Sequence, residues 1–518
     1  MIHETAQVSK RAIIGNDVNI WNWVQIEDGV QIGDGCIIAK GVYVQGGVCI
    51  GKNVKIGNNV SIFRGVEIQD SVFVGPHVCF TNDRKPRATN PDGSKKGRNH
   101  WIISKTIVEE GASIGANSTI ICGIRIGKGA MVGAGSVVTK DIGDNEVWFG
   151  NPAKKRSQSP TPISTNLIPL AKPIIGEEEK KAVMDVLDSG MLAQGCKVKE
   201  LEESFAKFCG TKYAIAVNSG TATLHTALYA IGIKAGDEVL TVPFTFVATA
   251  NTILMQNAKP VFVDVDEDTF NIDPNKIEEK ITPKTKAIIA VDLYGQPADY
   301  EKINAIAKKH NLKIIEDSCQ AHNAEYNGVK TGALGDIGCF SLYSTKNITC
   351  AEGGIITTNN EKYAELCRRF RHHGRSYDIG YNYRMTDIQA AIAIEQLKKI
   401  EDFTRRRIQN AKILSEGLSD IKGITTPKIN PKVKHVFHQY TIKVGNGRDK
   451  LMGRLKRKGI GCAIFYPKPL HLHPHFSKLG YKAGDFPVSE KLSKEVLSLP
   501  VHPSLSKKHI EYILEVFK

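Results

Sequence analysis

Three short segments hold residue types that can do chemistry together. Lys346 sits in Gly338-Cys339-Phe340-Ser341-Leu342-Tyr343-Ser344-Thr345-Lys346-Asn347, an apolar run that ends in a hydroxyl-rich turn, followed by Glu352-Gly353-Gly354. Most lysines are solvated surface groups, but desolvation in such a turn lowers an ammonium pKa and suits the amine to Schiff-base chemistry. Asp317 closes the apolar run of Ile314-Ile315-Glu316-Asp317-Ser318-Cys319-Gln320-Ala321-His322. Open α/β sheets bind ligands at the C-terminal edge of their strands, where a carboxylate can keep a heteroaromatic nitrogen protonated and turn the ring into an electron sink. A simple strand-end cap has the same sequence. Asn218-Ser219-Gly220-Thr221-Ala222-Thr223 follows a strand-like run and opens a helical one, the arrangement in which backbone N–H groups and the helix dipole hold a phosphate. An ordinary helix N-cap shares that composition.

Further candidates are scattered through the chain. His77 and His100 flank a segment rich in charge and can serve as a base, Asp83, Arg84 and Arg87 lie within it, and Lys140, Lys154, Lys155 and Arg156 can meet phosphates or simply face solvent. His471, His473 and His475 alternate in metal-ligand fashion, but no carboxylate or cysteine accompanies them, and no metal is expected.

These residues need elements to position them. Every sixth residue from Ile2 to Phe80 is aliphatic or aromatic, and a second such series runs from Ile102 to Val138. A period of six fits neither an amphipathic helix nor an alternating strand. It fits a short strand plus a turn, three of which make one coil of a triangular prism, so residues 1–156 are expected to form a parallel β-helix. The two series are 22 residues out of step, which is not a multiple of six, so residues 81–101 form an extruded loop. A polar, Pro-containing linker at 157–167 follows. Beyond it, the strand-like runs Tyr213–Val217, Glu238–Val242, Pro260–Val265, Ala287–Val291 and Lys313–Glu316 alternate with helical stretches such as Tyr300–His310. This predicts a mostly parallel sheet covered by helices over 168–400 and a smaller lobe over 401–518.

The 518 residues include 69 Lys and Arg against 54 Asp and Glu, for a formal charge of +15. Residues 1–156 hold 19 basic and 14 acidic side chains, so the excess is shared between the two halves and forms no polybasic tail. That distribution speaks against nucleic acid and for small anionic ligands. The 11 cysteines form no C-x-x-C, no apolar run reaches membrane-spanning length, and Met1-Ile2-His3-Glu4-Thr5 carries no secretion signal; a cytoplasmic protein that does not engage a membrane is expected.

The repeat region resembles the left-handed β-helix acyltransferases, and most closely the nucleotide-sugar 3-N-acetyltransferases. The resemblance rests on Asn59-Val60-Ser61-Ile62, Gly75-Pro76 leading to Phe80-Thr81-Asn82, Pro86-Arg87, Gly133-Ala134-Gly135-Ser136-Val137-Val138 and Gly150-Asn151-Pro152-Ala153-Lys154. It implies a trimer with acetyl-CoA and sugar in grooves between prisms. Asn82 would contact the acceptor sugar, and Gly133, Ala134, Asn151 and Pro152 would line the CoA groove; independently of the resemblance, Asp83, Arg84 and Arg87 are loop candidates for sugar or nucleotide contact and His77 is the possible base.

Residues 168–518 resemble the pyridoxal-phosphate sugar aminotransferases of the DegT/DnrJ/EryC1/StrS family. Besides the three segments above, the matches are Pro243-Phe244-Thr245-Phe246-Val247-Ala248-Thr249, Gly380-Tyr381-Asn382-Tyr383-Arg384-Met385, Tyr466-Pro467-Lys468-Pro469-Leu470-His471 and Leu499-Pro500-Val501-His502-Pro503. The implied fold is the aspartate-aminotransferase-like, type I α/β architecture with a small C-terminal lobe. Lys346 would be the Schiff-base lysine and proton shuttle, and Asp317 the partner of the pyridine nitrogen. Gln320 would lie by the ring hydroxyl and Phe246 on the ring face. Gly220, Thr221 and Ser341 would hold the phosphate, with Asn382 reaching in from the second subunit of a dimer. Arg384, Tyr466 and His471 are the implied sugar contacts. Cys350-Ala351-Glu352 and Asn323 depart from the usual pattern without touching a named role, while Phe465 replaces a histidine common in 3-aminotransferases.

Jointly, the two halves imply a bifunctional enzyme that aminates a nucleotide-linked 3-keto sugar, with glutamate as donor, and then acetylates the amine. A UDP-linked 2-acetamido-3-keto-hexuronate is the favoured acceptor over a dTDP-linked 3-keto-6-deoxyhexose. The competing readings are an aminotransferase with the β-helix as a trimerisation scaffold, and a non-enzymatic pyridoxal-phosphate sensor. A trimeric half joined to a dimeric half implies a closed homo-oligomer such as a hexamer.

Overall fold

The computed structural model describes residues 1–84, 86–90, 92–95, 103–155 and 167–517. His100, Ile102, Arg156 and nearly all of the expected linker lie outside them. The chain divides into two compact units, Met1–Ile163 and Ser164–Lys518.

In the first unit, two- and three-residue strands stack into three sheets, parallel except for the final pair Val147–Phe149 with Lys154–Lys155, and through most of the stack a strand pairs with the third one before or after it. Gln25 pairs with Gln7 and Tyr43, and Tyr43 with Ser61, so one coil is three hexads. Past the loop, Phe73 pairs with Ser113 and Cys79 with Thr119. The 22 extra residues therefore leave the stack at one corner and re-enter in register. Each hexad buries two side chains, the predicted one (Ile20, Ile26, Ile32) and the residue two before it (Val18, Val24, Val30). The second series is equally regular, and the two together fill the prism. A third series lies at the corners. Asp17, Trp23, Gly29, Gly35, Gly41, Asn53, Asn59 and His77 all have positive φ, at six-residue spacing. Glycine and asparagine dominate there because a left-handed turn clashes least with their side chains.

The second unit is built on a seven-stranded sheet in the order Tyr213–Val217, Gly354–Thr358, Ile337–Ser341, Lys313–Asp317, Thr285–Val291, Glu238–Thr241, Lys259–Phe262. Every strand is parallel to its neighbours except Gly354–Thr358, which is antiparallel on both sides. Alternate residues of Tyr213–Val217 feed different cores, Ile215 and Val217 one, Ala214 and Ala216 another, as the pleat requires for a sheet covered on both faces. The 32-residue helix Asp387–Leu418 begins in the large lobe, through Ala390, Ile394 and Phe403, and ends in the small one, through Ala411, Leu414 and Leu418. Position 400 thus falls inside a continuous helix. The small lobe adds the sheet Ile424–Thr425, Tyr440–Val444, Val496–Leu499. Among the described residues, no helix is long and apolar enough to cross a membrane.

Candidate active sites

Three parallel-sheet segments converge at the C-terminal edge of the large sheet. Asp317 is the last residue of its strand and only 6% exposed. A carboxylate this enclosed needs donors. It receives a 2.7 Å hydrogen bond from Thr249 Oγ1, on helix Ala248–Met255, and a longer one of 3.4 Å from Cys319 N–H. Thr245 Oγ1 lies 3.2 Å from Thr249 Oγ1 and extends the hydroxyl chain. Lys346 sits in the turn that follows strand Ile337–Ser341, its N–H bonded to Tyr343 O at 2.9 Å. Burial lowers its ammonium pKa below the usual lysine value, opposed by the nearby Cys319 and Asp317.

Gly220 begins helix Gly220–Ala230, whose N-cap Ser219 accepts from Ala222 N–H at 3.1 Å. A Cβ on Gly220 would stand 2.7 Å from Ser341 Cβ and 3.0 Å from Ser341 Oγ. Glycine lets the helix start approach this serine closely. Thr221 is exposed on the first turn. Gln320 is held from both sides, accepting from Tyr294 N–H at 2.9 Å through Oε1 and donating through Nε2 to Tyr466 OH at 3.1 Å. Tyr294 in turn donates its hydroxyl to Phe465 O. Phe246 shows 56% of its surface, with its ring centroid 6.3 Å from that of Tyr466. An unpartnered aromatic face is thus available at the same edge. Together, these residues offer a desolvated amine, a fixed carboxylate, a helix-mouth cradle and an open ring face, and they fit a phosphorylated pyridine aldehyde.

Asn382 and Arg384 lie on the exposed segment after helix Glu361–Arg371. Asn382 O accepts from Asn218 Nδ2 at 3.3 Å, and Arg384 Nη1 is 2.8 Å from His372 Nδ1. Within one chain, the Asn382 backbone is therefore tied to the residue just ahead of Ser219. His471 departs from the expected sugar contact. It is 0% exposed, its ring packs on Phe486 and its Nε2 lies 3.0 Å from Glu490 Oε1, so it props the loop from inside. His473 and His475 take other partners, Lys468 O and Asn251 Oδ1.

In the β-helix unit, Asn82 and Asp83 are half-buried at the start of the extruded loop. Arg84 is exposed but bonds back onto the stack, Nε to Cys122 O at 3.0 Å and Nη2 to Gly123 O at 3.3 Å. The guanidinium anchors the loop to the next coil, a different task from the expected substrate contact. His77 is an exposed member of the positive-φ corner series, so its position has a backbone explanation independent of catalysis. Gly133 O accepts from Ser118 Oγ and Ser136 Oγ, and a Cβ on Gly133 would lie 2.8 Å from Phe149 Cβ. Ala134, Asn151 and Pro152 are exposed, and Ala153 N–H returns to Val137 O at 2.8 Å, closing the last coil. Lys155 pairs with Glu146, while Lys140 and Lys154 are exposed.

Sequence reading gave no role to Thr249 or Tyr294 and did not pair Tyr466 with Gln320. A threonine inside a motif gives no sign of which carboxylate it will face.

Comparison with known proteins agrees with this geometry. Residues 173–518 match the model of the DegT/DnrJ/EryC1/StrS aminotransferase family. Residues 11–46 match the bacterial transferase hexapeptide (six repeats), and 105–140 the hexapeptide repeat of succinyl-transferase. The spore coat polysaccharide biosynthesis protein SpsC of Bacillus subtilis is 39% identical over 68% of this chain and 97% of its own length. GDP-perosamine synthase of Caulobacter vibrioides is 37% identical over 67% of this chain and 96% of its own. The structure of the putative sugar aminotransferase Spr1654 from Streptococcus pneumoniae, in its PLP form, superimposes with a TM-score of 0.65 at 30% identity, covering 68% of this chain and 98% of that one.

Proposed function

Because the chain belongs to the DegT/DnrJ/EryC1/StrS aminotransferase family and carries hexapeptide-repeat coils ahead of that domain, we propose that it is a bifunctional sugar-nucleotide enzyme. It transaminates a nucleotide-linked 3-keto sugar, with glutamate as donor, and then N-acetylates the new amine from acetyl-CoA. A role in polysaccharide synthesis fits the resemblance to SpsC, and the cytoplasm is the place proposed for it. The favoured acceptor is a UDP-linked 2-acetamido-3-keto-hexuronate, ahead of a dTDP-linked 3-keto-6-deoxyhexose, and this choice rests on resemblance in the Tyr466–His471 loop.

The observation that carries the first half is the desolvated Lys346 beside an Asp317 whose carboxylate is fixed by Thr249. Pyridoxal phosphate, when bound, supplies an electrophilic carbonyl and an electron sink. Lys346, with its lowered pKa, holds more neutral amine at pH 7 than a surface lysine and so can act as nucleophile and then as proton carrier at Nζ. Asp317 accepts a hydrogen bond from a protonated ring nitrogen and cannot turn away while Thr249 holds Oδ2. Gly220 and Ser341 receive a phosphate at the helix mouth, and Phe246 offers its face for stacking. Asn382 completes the phosphate site from a second subunit.

For the second half, the acceptor amine must arrive unprotonated and its carbonyl partner must find donors. Asn82 orients the sugar at the loop root, and the exposed corner at Ala134 lines the groove for the thioester and pantetheine. With a trimeric prism and a dimeric aminotransferase satisfied together, the assembly is a closed D3 hexamer or a larger cage. Light scattering that gave a plain dimer or trimer would sink that assembly.

The deciding experiment offers the purified protein a panel of 3-keto sugar nucleotides with glutamate and acetyl-CoA, and reads products by mass. An acetamido product supports the proposal. An amino product that is never acetylated leaves the β-helix as a scaffold, and no amino transfer to any member favours a sensor.

A further inference from the structure

The foot of the prism carries aromatic surface that the chemistry above does not use. Trp21 and Trp23 flank the corner just before strand Gln25–Ile26 and keep 47% and 58% of their surface exposed. Trp23 belongs to the corner series of positive φ, at 58°, where a bulky side chain is sterically disfavoured and glycine or asparagine is usual. Holding an indole there costs stability, and burial does not offset it. The next coil stacks on this corner through Gly41 N–H and Asn22 O, and its Lys40 sets Nζ 4.4 Å from the Trp23 ring centroid.

The face beside the corner is grooved and polar. Gln7, Ser9, Gln25, Glu27 and Tyr43 line an open groove of about 390 Å³. Glu27 accepts from Tyr43 OH at 2.6 Å and from Gly46 N–H at 3.0 Å. Register relates this groove to the loop root. Gln25 pairs with Tyr43, Tyr43 with Ser61, and Ser61 with Cys79, three residues before Asn82. Three strand spacings put the strand that follows Trp23 about 14 Å from the one that precedes Asn82, on the same sheet. An extended ribose and diphosphate cover a span of that order.

We propose that the groove and its tryptophan corner form the nucleotide subsite of the acetyl-transfer half. The base stacks on Trp23, a phosphate meets Lys40, and the glutamine amides reach ribose and base. This rests on the reading of the repeat region as a nucleotide-sugar acetyltransferase, and it says where the acceptor's nucleoside diphosphate lies. An aromatic ring with an ammonium beside it suits a base joined to phosphate. A second copy of the chain fits the corner less well. Lysine is depleted from the cores of protein interfaces, and the exposed apolar Phe73 and Met131 stand on a different sheet.

The test is tryptophan emission of the cofactor-loaded full chain, titrated with UDP and with dTDP. All four tryptophans, Trp21, Trp23, Trp101 and Trp148, lie in the first 156 residues, so emission reports on the prism and not on nucleotide held by the aminotransferase unit. Saturable quenching by at least one of the two is expected. Trp23→Gly suits the positive φ, should fold at least as stably as the parent, and should lose most of the quenching. Lys40→Ala should raise the half-saturating concentration about fivefold or more. Light scattering should give both variants the parent's size. No quenching, or quenching unchanged in either variant, overturns the proposal. A smaller assembly in Trp23→Gly also overturns it, by making the corner a contact between copies. Acetylation of the sugar panel is scored separately. Acetylated product without quenching sinks the subsite alone, whereas quenching that follows Trp23 and Lys40 without acetylated product supports the subsite and sinks the acetyl transfer.

Discussion

Replacing Thr249 by valine isolates one atom of the aminotransferase site. Valine keeps the branched shape and deletes the hydroxyl that reaches Asp317 Oδ2 at 2.7 Å. The remaining donor, Cys319 N–H, is 3.4 Å from the other oxygen and too long to compensate. A hydrogen bond to a buried charged group contributes about 1.5–3 kcal/mol, twice a neutral one or more. The carboxylate is 6% exposed, so little water replaces the missing donor. If Asp317 pairs with the cofactor's ring nitrogen, most of that loss falls on the cofactor-bound state, and affinity drops by about 10- to 100-fold. Equilibrium dialysis against pyridoxal phosphate measures the affinity, and amino transfer from glutamate at saturating cofactor measures turnover. Thr249→Ser keeps the hydroxyl and should recover most of both. A Thr249→Val protein within twofold of the parent in affinity and turnover would show that the Thr249–Asp317 contact has no part in the site.

Gly220→Ala should lower the Tm of the cofactor-free protein and raise the pyridoxal-phosphate dissociation constant at least tenfold, because a methyl group there would stand 2.7 Å from Ser341 Cβ and force the helix start away from the strand; unaltered Tm and affinity would remove the cradle assignment. Asn82→Ala should abolish or strongly reduce acetylated product with amino product still formed, and equal acetylation in the two proteins would reduce the β-helix to a scaffold. Stability should fall in mild acid. Burial drives the pKa of His322 and His435 down to about 3, so both stay neutral in the folded chain while the unfolded chain takes up protons near the ordinary histidine value of about 6.5. The unfolded state binds more protons between those limits, so the contribution is complete above about pH 6.5 and is lost as pH falls toward 3, by about 2 kcal/mol per histidine at pH 5. Urea midpoints at pH 8 and pH 5 measure it, and unchanged midpoints would contradict the assignment.

Much of this protein is written in short-range pattern. A six-residue period fixes the coil because strand, corner and inward side chain all recur within one hexad, and the 22-residue offset locates the loop by arithmetic alone. The helix Tyr300–His310 and the strand Tyr213–Val217 have the bounds their periodicity predicts, since each is set by neighbours within one or two turns. Lys346, Asp317 and Gly220 stand out because their local settings, strand end and helix mouth, are themselves sequence features.

Side-chain partners across the fold are another matter. Thr249 meets Asp317 across 68 residues and Gln320 meets Tyr466 across 146, pairings that exist only once the sheet has set its strand order. The return of Arg84 onto the stack and the burial of His471 likewise depend on which surface each side chain is folded against. The sequence by itself determined the prism, the α/β alternation and the residues able to react. Tertiary structure alone decided which of them are desolvated, which are held, and which only support their neighbours, because burial and hydrogen-bond geometry are properties of packed surfaces and not of the local chain.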